Sequence, residues 1–160
     1  MNPATKLCLT FALGLACVTA HAQDAAAQTE TTAPASAATS ATASMIGAVP
    51  EGKGQVVFFR PSKFMGAAVG FIVREGQVEL GKLRNGNYFV AAVEPGTHQY
   101  IVHSEAKDIL TLEVEAGETY YVQGSIAMGV MAGRPNLSPS DRATFDAVAS
   151  KLKPSKPLAD

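Results

Sequence analysis

The feature that most constrains the fold is a series of short strand-like runs between residues 55 and 127. Each run is rich in aliphatic, aromatic or β-branched residues, and a turn-forming residue follows close behind it. The runs cover residues 55–60, 68–74, 77–83, 87–93, 97–104, 108–116 and 118–127. Short strands with turn signals every eight to twelve residues or so indicate a sandwich or a barrel rather than alternating strands and helices. We therefore expect an all-β fold, an antiparallel β-sandwich of about seven strands.

Two turn signals at the centre of this series suggest how the strands pair. Asn85-Gly86 and Pro95-Gly96 are dipeptides typical of tight turns. Turns of this kind predict that residues 88–93 and 98–102 are neighbouring antiparallel strands.

Near the C-terminus the hydrophobic period changes from that of a strand to that of a helix. Ser138 is a good N-cap, Pro139 suits the first helical position, and Asp141 stands where a capping-box acid would. The apolar stripe comprises Phe145, Val148, Ala149 and Leu152. These signals predict one amphipathic helix over residues 138–153, packed on a sheet face or across an open edge.

Composition sets the remaining boundaries. Residues 23–45 consist mostly of Ala, Thr, Ser and Gln, so they cannot bury enough apolar surface to offset their ordering entropy, and we expect a disordered tether. An alanine-rich helix is the alternative, which Pro34 and the many threonines and serines disfavour. The β-sandwich domain then spans residues 46–127, a connecting loop covers 128–137, and a tail covers 154–160.

The first 22 residues have the organisation of a secretory signal peptide. Lys6 supplies the basic region, residues 7–20 are uncharged and largely apolar, and small residues precede a cleavage site between Ala22 and Gln23. The apolar run is 14 positions long, whereas a transmembrane helix needs about 20. We therefore expect removal of the signal, a periplasmic location and no membrane span after cleavage.

Both cysteines, Cys8 and Cys17, lie inside this segment. The mature chain therefore has no disulfide, no thiolate nucleophile and no cysteine metal site. A lipid anchor on Cys17 is the alternative to a soluble form. Gly14 stands three residues before Cys17, where bacterial lipoprotein signals usually carry leucine, and this favours the soluble form.

The charges of the folded part are balanced. From Met45 onwards there are 12 Lys and Arg (13 less Lys6) and 12 Asp and Glu (14 less Asp24 and Glu30). A net charge near zero gives no electrostatic reason to expect nucleic acid as a partner, and little for anionic lipid. One basic cluster stands in the tail, and its position indicates a solvated helix end. It consists of Lys151, Lys153 and Lys156.

Candidate catalytic groups form no recognisable constellation. His98 and His103 stand on one predicted strand five positions apart, so they point to opposite faces and cannot share a metal ion. Each is better explained as a surface or hydrogen-bonded structural histidine. Glu113 and Glu115 alternate with apolar residues, as on a solvated sheet face. The sequence has no serine-hydrolase elbow and no phosphate-binding glycine loop. We predict a protein that is not an enzyme and that needs no metal and no cofactor.

The aromatic residues allow a second kind of site, a groove for a sugar or a peptide. In an all-β domain without tryptophan or cystine, most of them are needed as core. Tyr121 and Phe64 are the best groove candidates, since Tyr121 faces opposite to Tyr120 and Phe64 lies in a loop. Together with Arg60, they form our candidate ligand-binding set.

Four motifs in a fixed order carry a family resemblance. They are an apolar strand ending at Arg60-Pro61, a Gly-x-Leu-x-Asn-Gly-x-Tyr segment at residues 81–88, the Pro-Gly-x-His turn at 95–98, and Ala-Gly-x-Thr-Tyr-Tyr at 116–121. Over residues 53–137 the chain resembles the bacterial envelope proteins called domain of unknown function 2846. The resemblance implies a secreted or lipid-anchored domain and brings no catalytic residues. The Pro-Gly-x-His turn is also similar to transthyretin-like and carboxypeptidase-regulatory-like modules, which implies a transthyretin-like or immunoglobulin-like sandwich.

These expectations converge on an exported binding module. The favoured hypothesis is a non-enzymatic periplasmic domain that interacts with another envelope protein, because an open sheet edge could take a partner strand. The alternative is a domain that binds a small ligand or a glycan through Arg60, Phe64 and Tyr121.

Overall fold

The computed structural model describes residues 44–103, 107–129, 133–156 and 158, and their elements match the predicted series closely. Within these described residues, 44–46 are helical, and nine strands and one further helix follow. The strands are β1 (Gly54–Arg60), β2 (Phe71–Glu75), β3 (Val78–Leu83), β4 (Asn87–Val93), β5 (Gly96–His103), β6 (Lys107–Val114), β7 (Thr119–Met128), β8 (Gly133–Ser140) and β9 (Lys153–Pro154). The further helix is α1 (Arg142–Ala149).

The strands form two sheets that pack as a sandwich. One sheet has five strands in the order β8-β7-β1-β4-β9, and the other has four strands in the order β3-β2-β5-β6. The predicted fold class, a β-sandwich with a C-terminal helix, is confirmed. Two pairings depart from the antiparallel expectation, since β1 runs parallel to β7 and β4 runs parallel to β9.

The prediction that residues 88–93 and 98–102 pair as neighbouring strands is wrong. β4 pairs with β1 and β9 in the five-stranded sheet, whereas β5 pairs with β2 and β6 in the four-stranded sheet. The chain does turn at Pro95-Gly96, with φ +138° at Gly96, but it crosses from one sheet to the other. As a result, Val93 of β4 and Tyr100 of β5 enter the same core from opposite sheets.

Two hydrophobic cores lie on opposite faces of the five-stranded sheet. The interior core lies between the sheets, and its buried members are Val56, Phe58, Phe71, Val73, Leu83, Val93, Tyr100, Val102, Leu110, Val114, Val122 and Leu137. The helix-side core lies under α1, and its buried members are Val57, Phe59, Tyr88, Tyr121, Phe145, Ala149 and Leu152. Alternate residues of β1 therefore point into different cores, as the pleat of a strand requires.

Helix α1 buries the predicted stripe but is shorter than predicted. Phe145, Ala149 and Leu152 are buried, and Val148 packs beside them. The helix covers Arg142–Ala149 rather than residues 138–153, and its N-cap is Asp141, whose carboxylate accepts a hydrogen bond from Thr144 N at 2.7 Å.

Ser138 and Pro139, predicted to start the helix, lie instead in β8, and most of the predicted connecting loop is also strand. β8 is an edge strand that carries two prolines, Pro135 and Pro139. Leu137 lies two positions from each proline, so its N–H points to the same side of the strand as theirs would. That N–H donates to Asp108 Oδ2 at 2.8 Å rather than to β7. The missing N–H groups of the prolines therefore fall on the side of β8 that faces away from β7, where a strand tolerates them.

The start of the described chain is anchored to the sandwich. Met45 and Ile46 pack against the helix-side core. Tyr88 Oη donates to Met45 O at 3.1 Å, and Gln55 Nε2 donates to Ile46 O at 3.0 Å. Met45 is therefore docked on the sandwich, while the predicted signal peptide and residues 23–43 of the predicted tether lie outside the described residues. No helix within the described part of the chain is long and apolar enough to cross a bilayer.

We expect Phe145→Ala to lower the free energy of unfolding by about 3–5 kcal/mol, because it opens a cavity at the centre of the helix-side core. The Phe145 ring meets Phe59, Tyr88 and Tyr121 at centroid distances of 5.2, 6.0 and 5.5 Å. Chemical denaturation measures the change. Ser150→Ala, at an exposed position just after the helix, is the control and should stay within about 0.5 kcal/mol of the wild type. Equal stability of the two variants would contradict the docking of α1.

Candidate functional site

The site lies at one end of the sandwich, where the C-terminal strand returns to the turn between β3 and β4. β9 pairs with the start of β4, with Lys153 opposite Asn87. Lys153 N donates to Gly86 O at 3.0 Å, and Ser155 Oγ donates to Lys82 O at 2.7 Å across 73 positions of sequence. These bonds hold two distant basic segments side by side.

Between the two segments lies an open cleft of about 580 Å³. Its lining is basic and amide-rich and comprises Lys82, Arg84, Asn85, Gly86, Asn87, Lys153, Pro154, Ser155, Lys156 and Leu158. Four of these residues are cations, and none of the described lining residues is acidic. We refer to this feature as the basic cleft.

The four cations are available to a ligand. Arg84, Lys153 and Lys156 are exposed, and Lys82 is half-buried. None of the four forms an ion pair with another described residue, whereas Lys53 and Arg74 elsewhere in the domain do. Uncompensated cations around a concave surface attract an anion, and low-dielectric walls strengthen that attraction.

The floor of the basic cleft is held rigidly. Asn87 is buried, its Oδ1 accepts from Arg84 N at 2.7 Å, and its Nδ2 donates to Lys82 O at 3.3 Å. Gly86 has φ +69°, a left-handed conformation that favours glycine. The backbone that carries Lys82 and Arg84 is thus fixed before any ligand arrives.

A second loop, residues 61–70, lies against the same turn. Asn85 Oδ1 accepts from Lys63 N at 2.9 Å, and Asn85 Nδ2 donates to Ser62 Oγ at 3.3 Å. Asn85 also lines the basic cleft. The loop and the basic cleft therefore belong to the same end of the sandwich.

Of the three predicted ligand-binding residues, Arg60 is buried, with 3% of its surface exposed. Its guanidinium donates to Val69 O at 2.5 Å and to Gly66 O at 2.7 Å, and it stands 5.8 Å from the centroid of the Phe71 ring. Burial lowers the pKa of Arg60. The guanidinium is used in hydrogen bonds to two backbone carbonyl oxygens of loop 61–70, so Arg60 holds this loop in place.

Phe64 and Tyr121 occupy contrasting positions. The Phe64 side chain is fully exposed, at 101%, in loop 61–70. Tyr121 is 7% exposed in the helix-side core, where burial raises its pKa. Arg60 is two positions from Phe58 on β1, so it points to the face of the five-stranded sheet that bears the interior core. Tyr121 packs in the helix-side core, on the opposite face. The structure therefore does not bring the three residues together in one groove.

His98 is engaged on both ring nitrogens. Its Nδ1 lies 2.5 Å from Glu75 Oε1, and its Nε2 lies 2.7 Å from Glu94 O. A carbonyl oxygen and a carboxylate both accept, so the geometry suits an imidazolium that donates twice. Burial by itself lowers the pKa of His98, but the hydrogen bonds to Glu75 and Glu94 and the charges of Glu75 and Glu113 outweigh it, and the pKa is raised. Both ring nitrogens of His98 are thus used in contacts within the domain.

Metal ligands are not assembled in the part of the chain that the structure describes. No group of three or more His, Cys, Asp or Glu side chains there could hold a metal ion. His103, on the opposite face of β5 from His98, is exposed.

Sequence reasoning missed the basic cleft. It noted Lys153 and Lys156 but took them for a solvated helix end, and it assigned no role to Lys82 or Arg84. The available signals were the two cations Lys82 and Arg84 just before the Asn85-Gly86 turn, and the lysine-rich tail. What the sequence could not show is that β9 pairs with β4 and unites them.

The family comparison bears on the same region. The model for the family described as protein of unknown function (DUF2846) matches residues 50–135, more than half of the chain. The chain belongs to the DUF2846 family. No curated protein matches it. The DUF2846 match includes Lys82 and Arg84 but ends before Lys153 and Lys156, so half of the cations in the basic cleft lie beyond it.

The structure explains why the Gly-x-Leu-x-Asn-Gly-x-Tyr segment of this DUF2846 domain uses these residue types. A Cβ at Gly81 would stand 2.7 Å from the Phe89 ring, so a side chain there would collide with the ring. Leu83 belongs to the interior core, and Tyr88 belongs to the helix-side core. The motif thus connects both cores to the turn that carries the basic cleft.

We expect His98→Gln to destabilise the protein by roughly 1 kcal/mol at low pH and by less at high pH. The folded-state pKa of His98 is raised above its ordinary value of 6.5. The stabilisation is therefore fully present below about pH 6.5 and is lost as the pH rises through the folded-state pKa. Thermal melts of the wild type and of His98→Gln across this pH range measure the difference in stability.

His103→Gln is the matched control, because it removes a histidine of the same strand without touching Glu75. The same trend with pH in both variants, or a constant deficit of His98→Gln at every pH, would contradict the charged pair.

Proposed function

We propose that this DUF2846 chain is an exported, non-enzymatic binding module whose basic cleft holds an anionic ligand. The observation that carries the proposal is the convergence of Lys82, Arg84, Lys153 and Lys156 on one cleft, without an acidic residue among the described lining. Of the two hypotheses from the sequence, this supports ligand binding, but at different residues from those predicted.

The lining favours an anion that bears several oxygen atoms. Lysine and arginine donate charge-assisted hydrogen bonds to phosphate and carboxylate groups, and such bonds are stronger than neutral ones. Asn85 also lines the cleft, and the second N–H of its amide, which the bond to Ser62 does not use, can donate to the same ligand. The open form of the cleft suits a charged group at the end of a larger molecule.

Binding rather than catalysis is the role that the lining supports. Asn87 and Ser155 use their side chains to brace the backbone at Lys82, and no histidine or carboxylate stands among the described residues of the cleft. A general base would have to come from elsewhere. Export rests on the signal-peptide pattern of residues 1–22.

A polyanion titration tests the proposal. We expect tripolyphosphate to bind the purified chain in isothermal titration calorimetry and to bind more weakly as salt is added. Lys153→Gln should weaken binding by about tenfold, because it removes one charge-assisted contact.

Lys151→Gln provides the matched control for this titration. Lys151 is exposed and lies two positions away in the sequence, but it does not line the basic cleft. Its replacement removes the same net charge and should change the affinity by no more than about twofold. Equal effects of the two substitutions, or no binding by the wild type, would refute the cleft as a site.

A protein partner on a sheet edge is the second candidate function. β6 is an edge of the four-stranded sheet. Its start contacts β8 through Asp108, and beyond that contact Ile109, Thr111 and Glu113 are exposed. An edge strand offers backbone groups to an added strand.

In-cell crosslinking tests this second candidate. A photo-crosslinking residue at Thr111 should capture one reproducible envelope protein, identified by mass spectrometry, and the same residue at exposed Ala147 of α1 should not. Capture of the same proteins from both positions, or from neither, would count against the edge.

A further inference from the structure

We infer that the end of the sandwich around the basic cleft binds the surface of an anionic phospholipid membrane. Phe64 and Met65 enter the interfacial region of the bilayer, and the cations of the cleft contact lipid phosphates. The inference rests on the proposed anion-binding function and names the class of ligand. It assigns a role to the exposed apolar tip of loop 61–70, which the proposed function leaves unexplained.

The tip of loop 61–70 consists of two adjacent apolar residues that are exposed to solvent. Phe64 is 101% exposed and the adjacent Met65 is 60% exposed. The other large exposed apolar residues of the described chain, Val78 and Ile109, stand singly on edge strands. Single exposed apolar residues need no explanation, but an adjacent aromatic and methionine at a loop apex mark an interaction site.

The loop presents this tip in a fixed conformation. The Arg60 guanidinium binds Gly66 O and Val69 O from inside the loop, and Asn85 binds Lys63 N at its base. A Cβ at Gly66 would lie 3.0 Å from Ile126, so the far side of the loop rests closely on β7. Because the loop is braced from three sides, exposure of Phe64 does not result from a frayed segment.

Basic residues lie at the base of this loop and in the basic cleft next to it. Lys63 precedes Phe64 directly, and Asn85 bridges the loop to the turn that carries Arg84. With Lys82, Lys153 and Lys156, five basic side chains belong to this end of the sandwich. Five of the 12 Lys and Arg residues from Met45 onwards therefore lie at this end, and none of the five forms an ion pair with another described residue. Each basic residue near an anionic bilayer strengthens binding by roughly fivefold.

The shape of the surface favours a membrane over a protein partner. The apolar residues are exposed in loop 61–70, and the charges lie in a cleft that Asn85 joins to this loop. A protein partner would have to supply a pocket for Phe64, whereas a fluid bilayer accepts a protruding aromatic group without one. Lipid headgroups also place phosphate beside hydrocarbon, which matches the juxtaposition of cations and apolar tip.

The chain contains no tryptophan, so Phe64→Trp gives a reporter at the tip itself. We expect its emission to shift to the blue with vesicles of phosphatidylcholine and phosphatidylglycerol, and not with phosphatidylcholine alone. Lipids brominated on their acyl chains should quench it. Val78→Trp, an exposed apolar position at the opposite end of β3, is the control and should show neither change.

Cosedimentation with the same vesicles measures affinity. Phe64→Ala combined with Met65→Ala should weaken vesicle binding at least about tenfold, since it removes the inserted apolar groups, and should leave tripolyphosphate binding intact. Lys153→Gln should weaken both. The segment that precedes Ser44 is identical in all variants, so any contribution from it cancels in the comparison.

The outcomes separate this inference from the proposed function. If tripolyphosphate binds but vesicles do not, or if vesicles bind without any change in the emission of Phe64→Trp, the lipid inference is overturned and the anion site stands. If poly-glutamate shifts that emission and anionic vesicles do not, the partner is an acidic protein. If neither tripolyphosphate nor vesicles bind, the proposed function fails as well.

Discussion

The burial of β1 on both faces is the constraint on which the rest of the structure depends. All seven residues of this strand are buried. Val56 and Phe58 point into the interior core, while Val57 and Phe59 point to the other side. A strand that is apolar on both faces must be covered twice. The four-stranded sheet covers one face, and α1 with residues 45–46 covers the other.

The basic cleft follows from this second covering. Helix α1 lies across the five-stranded sheet with Phe145 as its anchor, and the chain leaves the helix beside β4. Leu152 is buried there, after which Lys153 and Pro154 pair with Asn87 and Tyr88. The requirement to cover an apolar face thus brings a lysine-rich tail to an arginine-bearing turn. The packing of α1 on the sheet therefore also forms the candidate binding site.

Much of the fold could be predicted from residue patterns, and the failures have physical causes. The first seven strands were predicted nearly at their observed bounds, because alternation and turn residues are local signals. β8 was missed because its prolines argue against a strand unless their missing N–H groups face away from the neighbour. The 88–102 hairpin was wrong because a Pro-Gly turn reverses the chain without fixing which sheet the next strand joins. Of the candidate ligand residues, only Phe64 is exposed, since Arg60 and Tyr121 satisfy structural needs that a sequence does not display.

By itself, the sequence determined the class of this protein: a β-sandwich with an amphipathic C-terminal helix and no cysteine from Met45 onwards. These properties depend on local periodicity and composition, which can be read directly from a single sequence. The tertiary structure alone decided the strand order, the parallel pairings and the meeting of Lys82 and Arg84 with Lys153 and Lys156. Those contacts join residues some 70 positions apart, as the bond from Ser155 to Lys82 across 73 positions shows. Nothing in either segment specifies the other; the shared need to bury the two faces of β1 brings them together.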